Sequence, residues 1–283
     1  MLRLAAGAAL LVDVTAACKT HVVVAAAHYQ RDNASQALMQ HILSLQREAR
    51  EKWLGPFESL FLVVENDDDA YSRAPVEAAG LSYARNEAYP EFGFELGAWR
   101  WAVTRVLPGA DVCDDAVVYL TQDSLIMNRA PMPHPPPASF VATRVYSFDG
   151  TKQLLGVPRS ERHWQPEAAA AFSRVAGGPD AAISPKKTFA GCFGPNVVGL
   201  WSAWTRLASR GFFDMMRVRK KLDEQRSERV LGLFLQRDGD VLDNSSIGGD
   251  YLRAQHPSRS FVADLPFLKI HGYKTRSNER WHA

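Results

Sequence analysis

VVYLTQDSLI, residues 117–126, drives a run of apolar and aromatic residues straight into Thr121-Gln122-Asp123-Ser124. Buried strands are bounded by turn residues, and Asp and Ser serve as those. Asp123 is therefore either a turn former or a carboxylate held at a strand end to do chemistry. The sequence around it decides which.

Upstream, HVVVAAA (21–27) is a compact valine-rich run that reads as a buried strand. Polar HYQRDNAS follows, then SQALMQHILSLQREAREKW with the apolar spacing of a helix. Ser35 is placed to cap that helix, and Gly55-Pro56 to end it. SLFLVVE (59–65) is a second buried strand closed by NDDD, and LSYAR (81–85) a short third. After the turn region NEAYPEFG, FELGAWRWAVTRVL carries Leu96, Trp99, Val103 and Leu107 along one side of a helix that Pro108-Gly109 ends. VVYLTQDSLI is then the fourth strand. Strands alternating with helices predict an α/β fold, a mostly parallel sheet sandwiched between helices. Ligands of such sheets bind beyond the carboxyl ends of the strands. The strand ends HYQRD, ENDDD and TQDS should converge there, which favours a functional Asp123 over a turn.

Downstream, RAPMPHPPPAS (129–139) is a proline-rich connection too short to separate domains. FVATRVYSF (140–148) reads as a strand, residues 150–187 as loops with one short Ala-rich helix, and TFAGCFGPNVVG (188–199) as one or two strands. LWSAWTRLASRG is a helix closed by Gly211, and FFDMMRVRKKLDEQRSERVLGLFLQRDG (212–239) is expected to be helical over most of its length. The tail carries LPFLKI before His271.

The 283 residues are 46% hydrophobic and 23% charged, enough for a sizeable core of one domain. A net charge of +2 gives no argument for nucleic acid or a membrane surface. The basic residues between Arg217 and Arg229 are diluted by Asp223, Glu224 and Glu228, as on a solvated helix face. Cys18, Cys113 and Cys192 form neither a disulfide framework nor a CxxC pair. Buried thiols are the expected reading, a single disulfide the alternative. Residues 1–18 hold Arg3, a short apolar run broken by Asp13, and small residues at Ala16 and Ala17. They read as a secretory signal or weak anchor, or else as a buried first element. The first reading sends the chain to the secretory pathway or Golgi, with membrane contact if the segment is an anchor; the second leaves it cytoplasmic. Two N-x-S/T triplets, at Asn33 and Asn244, add weakly to the first.

The order of the pieces resembles GT-A-fold glycosyltransferases of the family-2-like pattern. HVVVAAAHYQRD stands where a first strand opens the nucleotide pocket, VVENDDD where a second ends in acidic residues, FGFELGAWRWA at the glycine-containing turn into a helix, and TQDS at the acidic DxD motif. Gly211-Phe212-Phe213-Asp214 and then Ser227-Glu228-Arg229 with Gly232 follow in the family's order, and Gly239 closes the block. ELGAWRWAV and VVYLTQDS also look like rhamnan-synthesis-type transferases. The chain departs at Thr121, which takes the place of the first DxD aspartate, and at Arg229, which leaves Glu228 alone of an acidic pair.

The resemblance implies one domain over 19–283, with a nucleotide-binding half (19–128) and an acceptor half (129–283). It implies transfer of a sugar from a nucleotide-sugar donor to a glycan or glycoconjugate acceptor, with no nucleic-acid partner. Such transfer needs a neutralised diphosphate, a base for the acceptor hydroxyl and an aligned donor. Asp123 is the expected ligand of Mn²⁺ or Mg²⁺, with His271 as a further ligand. Glu228 is the expected general base, implying inversion, and Asp214 receives acceptor hydroxyls or caps a helix. Glu65, Asn66, Asp67, Arg85 and Asn86 are expected at the base, ribose or phosphate, and Glu95 and Gly97 at the turn that approaches the donor. A non-catalytic glycan- or protein-binding module is the alternative, favoured by the incomplete DxD. A nucleotidyltransferase is third, disfavoured because HYQRDNAS holds no glycine.

Overall fold

The computed structural model describes residues 17–27, 33–66, 72–123, 125–127, 140–142, 145–148, 189–192, 197–215, 218–219, 241–242 and 267–269. Strand β1 (Lys19–Ala27) is followed by helix α1 (Asn33–Ala49), β2 (Ser59–Glu65), the short α2 (Arg73–Ala78) and β3 (Ser82–Arg85). Helix α3 (Phe94–Trp101) loosens into wider and then tighter turns as far as Gly109. It leads to β4 (Val112–Gln122) and β5 (Leu125–Met127). Beyond these lie β6 (Phe140–Ala142), β7 (Val145–Phe148), β8 (Phe189–Cys192), β9 (Val197–Leu200), α4 (Trp201–Ser209), α5 (Phe212–Met215), β10 (Val241–Leu242) and β11 (Phe267–Lys269).

Seven strands form one sheet in the order β10-β6-β9-β4-β1-β2-β3. β4, β1, β2 and β3 are parallel, and β9 runs antiparallel to both of its neighbours. β1 lies at the centre, and its seven residues from His21 to Ala27 are all buried. A parallel strand covered on both faces must be apolar on both, which is why this stretch shows no alternation in sequence. The alternation appears in space instead. Val22, Val24 and Ala26 pack with Leu62, Val64, Val118 and Leu120 against Leu96, Trp99, Val103 and Leu107 of the α3 segment and Trp204 and Leu207 of α4. Val23, Ala25 and Ala27 pack with Phe61, Val63, Val117 and Tyr119 against Met39, Ile42 and Leu43 of α1. The stripe expected on the α3 segment is thus the stripe that meets the sheet.

From β1 the chain steps outward through α1 to β2 and then through α2 to β3. It then returns over the opposite face through α3 to reach β4 on the other side of β1. Right-handed crossovers require a helix to change face when the direction of travel reverses. The reversal leaves a switch point between the carboxyl ends of β1 and β4.

Several expectations are corrected. Helix α1 begins at Asn33, so Ser35 lies inside its first turn and not at its cap. α2, six residues long, is too short to show periodicity and was not expected. FVATRVYSF gives two strands, β6 and β7, in different sheets. Of the long helix expected over 212–239, Phe212–Met215 is helical and Val218-Arg219 is not, the Val218 carbonyl accepting the Gly93 N–H at 2.8 Å; residues 220–239 lie outside the described residues. Cys18 and Cys113 are bonded to each other and are not free thiols, with Cα atoms 5.2 Å apart. No helix among the described residues is long and apolar enough to cross a membrane.

Candidate functional site

Asp123 is the first residue after β4 and stands at the switch point. Its N–H donates to the Ala26 carbonyl at 2.8 Å, continuing the β1–β4 ladder. Its own carbonyl accepts from Gln46 Nε2 at 2.9 Å. Gln46 lies one turn beyond Ile42 and Leu43 on the buried stripe of α1, so a polar side chain sits at an apolar position and ties that helix to the end of β4. Asp123 is 2% exposed. Thr121, two positions before Asp123, is fully buried, and its hydroxyl has no hydrogen-bond partner among the described residues. The Thr121 carbonyl accepts from Trp99 Nε1 at 2.9 Å. Trp99 is therefore a core residue pinned to β4, and Trp101, two positions on, is only half-buried.

Beside them, β2 ends in Glu65 and Asn66. The Glu65 carboxylate is fully buried and accepts the Tyr83 hydroxyl at 2.6 Å. Burial first, and then this bond to Glu65, push the Tyr83 phenol far above its ordinary pKa, so it stays a donor. Arg85, exposed at the end of β3, is the register partner of Glu65. Asn66 and Asn86 form a clamp on the turn that starts α3. Asn86 Nδ2 donates to Asn66 Oδ1 at 2.7 Å and to the Phe92 carbonyl at 2.5 Å, and Asn66 Nδ2 donates to the Phe94 carbonyl at 2.7 Å. Phe94 holds a positive φ of 57°, a conformation that costs a bulky residue energy and that the clamp sustains. Glu95 is buried in the first turn of α3, where a carboxylate meets the positive end of the helix.

Strands in a sheet lie about 4.8 Å apart. Asp123 beside Ala26 and Asn66 beside Ala27 are thus separated by two strand spacings, about 10 Å. Glu65, Asn66, Asn86, Glu95, Gly97 and Asp123 accordingly gather at one end of the sheet. Gly97 has a packing reason of its own: a Cβ there would collide with the Phe92 carbonyl oxygen. Asp214 is not in this group. Its side chain is 67% exposed and takes Arg100 Nη2 at 2.8 Å, on the flank of α3. Asp67, Glu228 and His271 lie outside the described residues. Alanine at Asp214 is expected to change stability by about 1 kcal/mol, since the aspartate end of the ion pair is solvent-exposed. An unchanged KM for acceptor in that variant would remove Asp214 from acceptor binding.

A divalent ion of the Mg²⁺ type takes one or two carboxylates, keeps waters and shares the phosphates of its substrate. Asp123 fits that role as a single carboxylate. Thr121 adds no second one, and the described residues contain no cluster of three metal-ligating side chains. Gln46 and Tyr83 went unread in the sequence as contacts of the site. A glutamine on an apolar stripe is a legible signal, but alternation over a strand of four residues is too brief to give Tyr83 a partner.

No protein-family model matches the chain, and no curated protein does. Among solved structures it is similar to galactosyltransferase LgtC in complex with donor and acceptor sugar analogues, at 12% identity and a TM-score of 0.42, over 89% of this chain and 87% of that one. Core-mannan synthase A from Aspergillus fumigatus in its Mn/GDP form gives 8% and 0.40, over 76% and 69%. Glucosyl-3-phosphoglycerate synthase from Mycobacterium tuberculosis with Mn²⁺, uridine diphosphate and glucosyl-3-phosphoglycerate gives 14% and 0.34, over 82% and 83%. The chain spans 54% of the length of a mycobacterial protein that it matches at a TM-score of 0.33. At these identities and TM-scores the likeness by itself says nothing of what this chain does.

Proposed function

We propose that this chain is a GT-A-type glycosyltransferase that moves a sugar from a nucleoside-diphosphate donor to a glycan or glycoconjugate acceptor. The observation that carries the reading is Asp123, a nearly buried carboxylate at the switch point between β1 and β4. Open α/β sheets bind ligands at such a point.

In this reading Asp123 and His271 hold Mn²⁺ or Mg²⁺, which when bound neutralises the diphosphate leaving group. The ladder between β5 and β11 supports the pairing. Lys269 is the register partner of Leu125, so the antiparallel ladder stops two residues short of His271 on one strand and of Asp123 on the other. Glu65, Asn66, Asp67, Arg85 and Asn86 surround the nucleoside and phosphates. Arg85 suits phosphate because its fork binds two oxygens at once. The clamp from Asn66 and Asn86 and the close packing at Gly97 fix the turn before Glu95, which bounds the donor. Glu228 removes the acceptor proton, implying inversion.

Release of nucleoside diphosphate over a panel of sugar donors with Mn²⁺ tests the reading. Tight nucleotide binding with no release from any donor would favour the alternative of a binding module, which the buried Thr121 hydroxyl at the first DxD position supports. Glu228→Gln is expected to lower kcat by about 10²–10⁴-fold with folding intact, the range a positioned base contributes. Unchanged turnover would remove it as base.

A further inference from the structure

Cys18 and Cys113 lead into β1 and β4, the two strands whose far ends form the switch point. The bond between them joins positions 95 residues apart. The strands enter the sheet side by side directly at this bond: Lys19 is the register partner of Val112, and the Lys19 N–H donates to the Asp111 carbonyl at 2.8 Å. Both cysteines are half-buried and not sealed in the core. Disulfides that small thiols can reach are kept reduced in the cytosol and persist in oxidising compartments. Immediately upstream of Cys18 lies the apolar stretch with Arg3 at its start and Ala16-Ala17 at its end, the pattern of a secretory leader.

We propose that this chain matures on an exported route, in an oxidising compartment, where the bond between Cys18 and Cys113 closes as a structural staple. In the closing step each thiol gives up its proton and one sulfur–sulfur bond forms. The two electrons pass to a disulfide oxidant, a thiol–disulfide oxidoreductase or a low-molecular-weight disulfide, which becomes two thiols. The bond lies at the end of β1 and β4 away from Asp123, so the proposal stands apart from the chemistry assigned to that residue.

The test is to quench cells that make the full chain with N-ethylmaleimide before lysis and to map its peptides with and without reductant. Recovery of the Cys18 and Cys113 peptides as one linked species is expected; alkylation of both residues in the quenched cells would overturn the proposal. With the purified chain, reductant is expected to lower Tm by about 5–15 °C, because opening so long a loop frees the unfolded state. The double variant Cys18→Ser, Cys113→Ser is expected at the lower Tm with no further response to reductant. An unchanged Tm once reductant has opened the bond would overturn the staple.

Discussion

Alanine in place of Asp123 is expected to leave a folded chain that releases nucleoside diphosphate from sugar donors about 10²–10³-fold more slowly. Alanine keeps two hydrogen bonds that seat this residue, because its main chain makes them, to the Ala26 carbonyl and from Gln46. What is lost is a carboxylate that is 2% exposed, at a sheet end that also holds the buried carboxylates of Glu65 and Glu95. Active-site residues are often held at some cost in stability, so the change is expected to destabilise little. Ion-assisted neutralisation of a diphosphate contributes several kcal/mol to the transition state. At 1.36 kcal/mol for each factor of ten, about 3–4 kcal/mol gives the stated loss. Calorimetry separates ligand loss from misfolding: Mn²⁺ should tighten nucleoside-diphosphate binding to the parent chain and not to Asp123→Ala. Asp123→Asn keeps the size and one oxygen donor but loses the charge, and should fall between them. Full activity in the alanine variant would sink the assignment.

Gly97→Ala is expected to be the most damaging glycine-to-alanine change among the described residues, costing about 2–4 kcal/mol and lowering Tm by about 5–15 °C. The added Cβ would collide with the Phe92 oxygen and its carbonyl carbon, both main-chain atoms that no side-chain rotation can move. The same oxygen accepts the buried Asn86 amide. Shifting Phe92 to admit the methyl therefore breaks a hydrogen bond whose donor has no water to turn to, adding about 1–3 kcal/mol to the clash. The strain passes through Asn86 to Asn66 and on to the turn at Phe94, so nucleotide affinity should fall with stability. Gly109→Ala is the control: nothing lies within 4 Å of its Cβ position, and the change should stay within about 0.5 kcal/mol. A Gly97→Ala chain that melts like the parent would show that the turn can move.

The elements legible in the sequence are those whose pattern is local. HVVVAAA and SLFLVVE read as buried strands because apolar runs of that length, bounded by polar clusters, have few other uses. Leu96, Trp99, Val103 and Leu107 read as one helix face because the spacing alone places them there. Their order already implied a mostly parallel sheet and a cleft beyond the ends of β1, β2 and β4, and so marked Asp123.

Tertiary structure decided the partners. Gln46 and Asp123 are 77 positions apart, Arg100 and Asp214 are 114 apart, and Cys18 and Cys113 are 95 apart. No periodicity reaches across such distances; only the sheet order brings these residues together. Asn66 and Asn86 read as candidate ligands from their strand-end positions, and the fold gives them a clamp to make. Asp214 read as a site residue from its glycine–aromatic turn, and the packing of α5 against α3 gives it Arg100 instead. Side-chain type and strand order determine which end of a sheet binds. Which atoms there are already committed to each other is settled by packing, because a hydrogen bond of 2.5–2.9 Å is specified by three-dimensional proximity and not by sequence spacing.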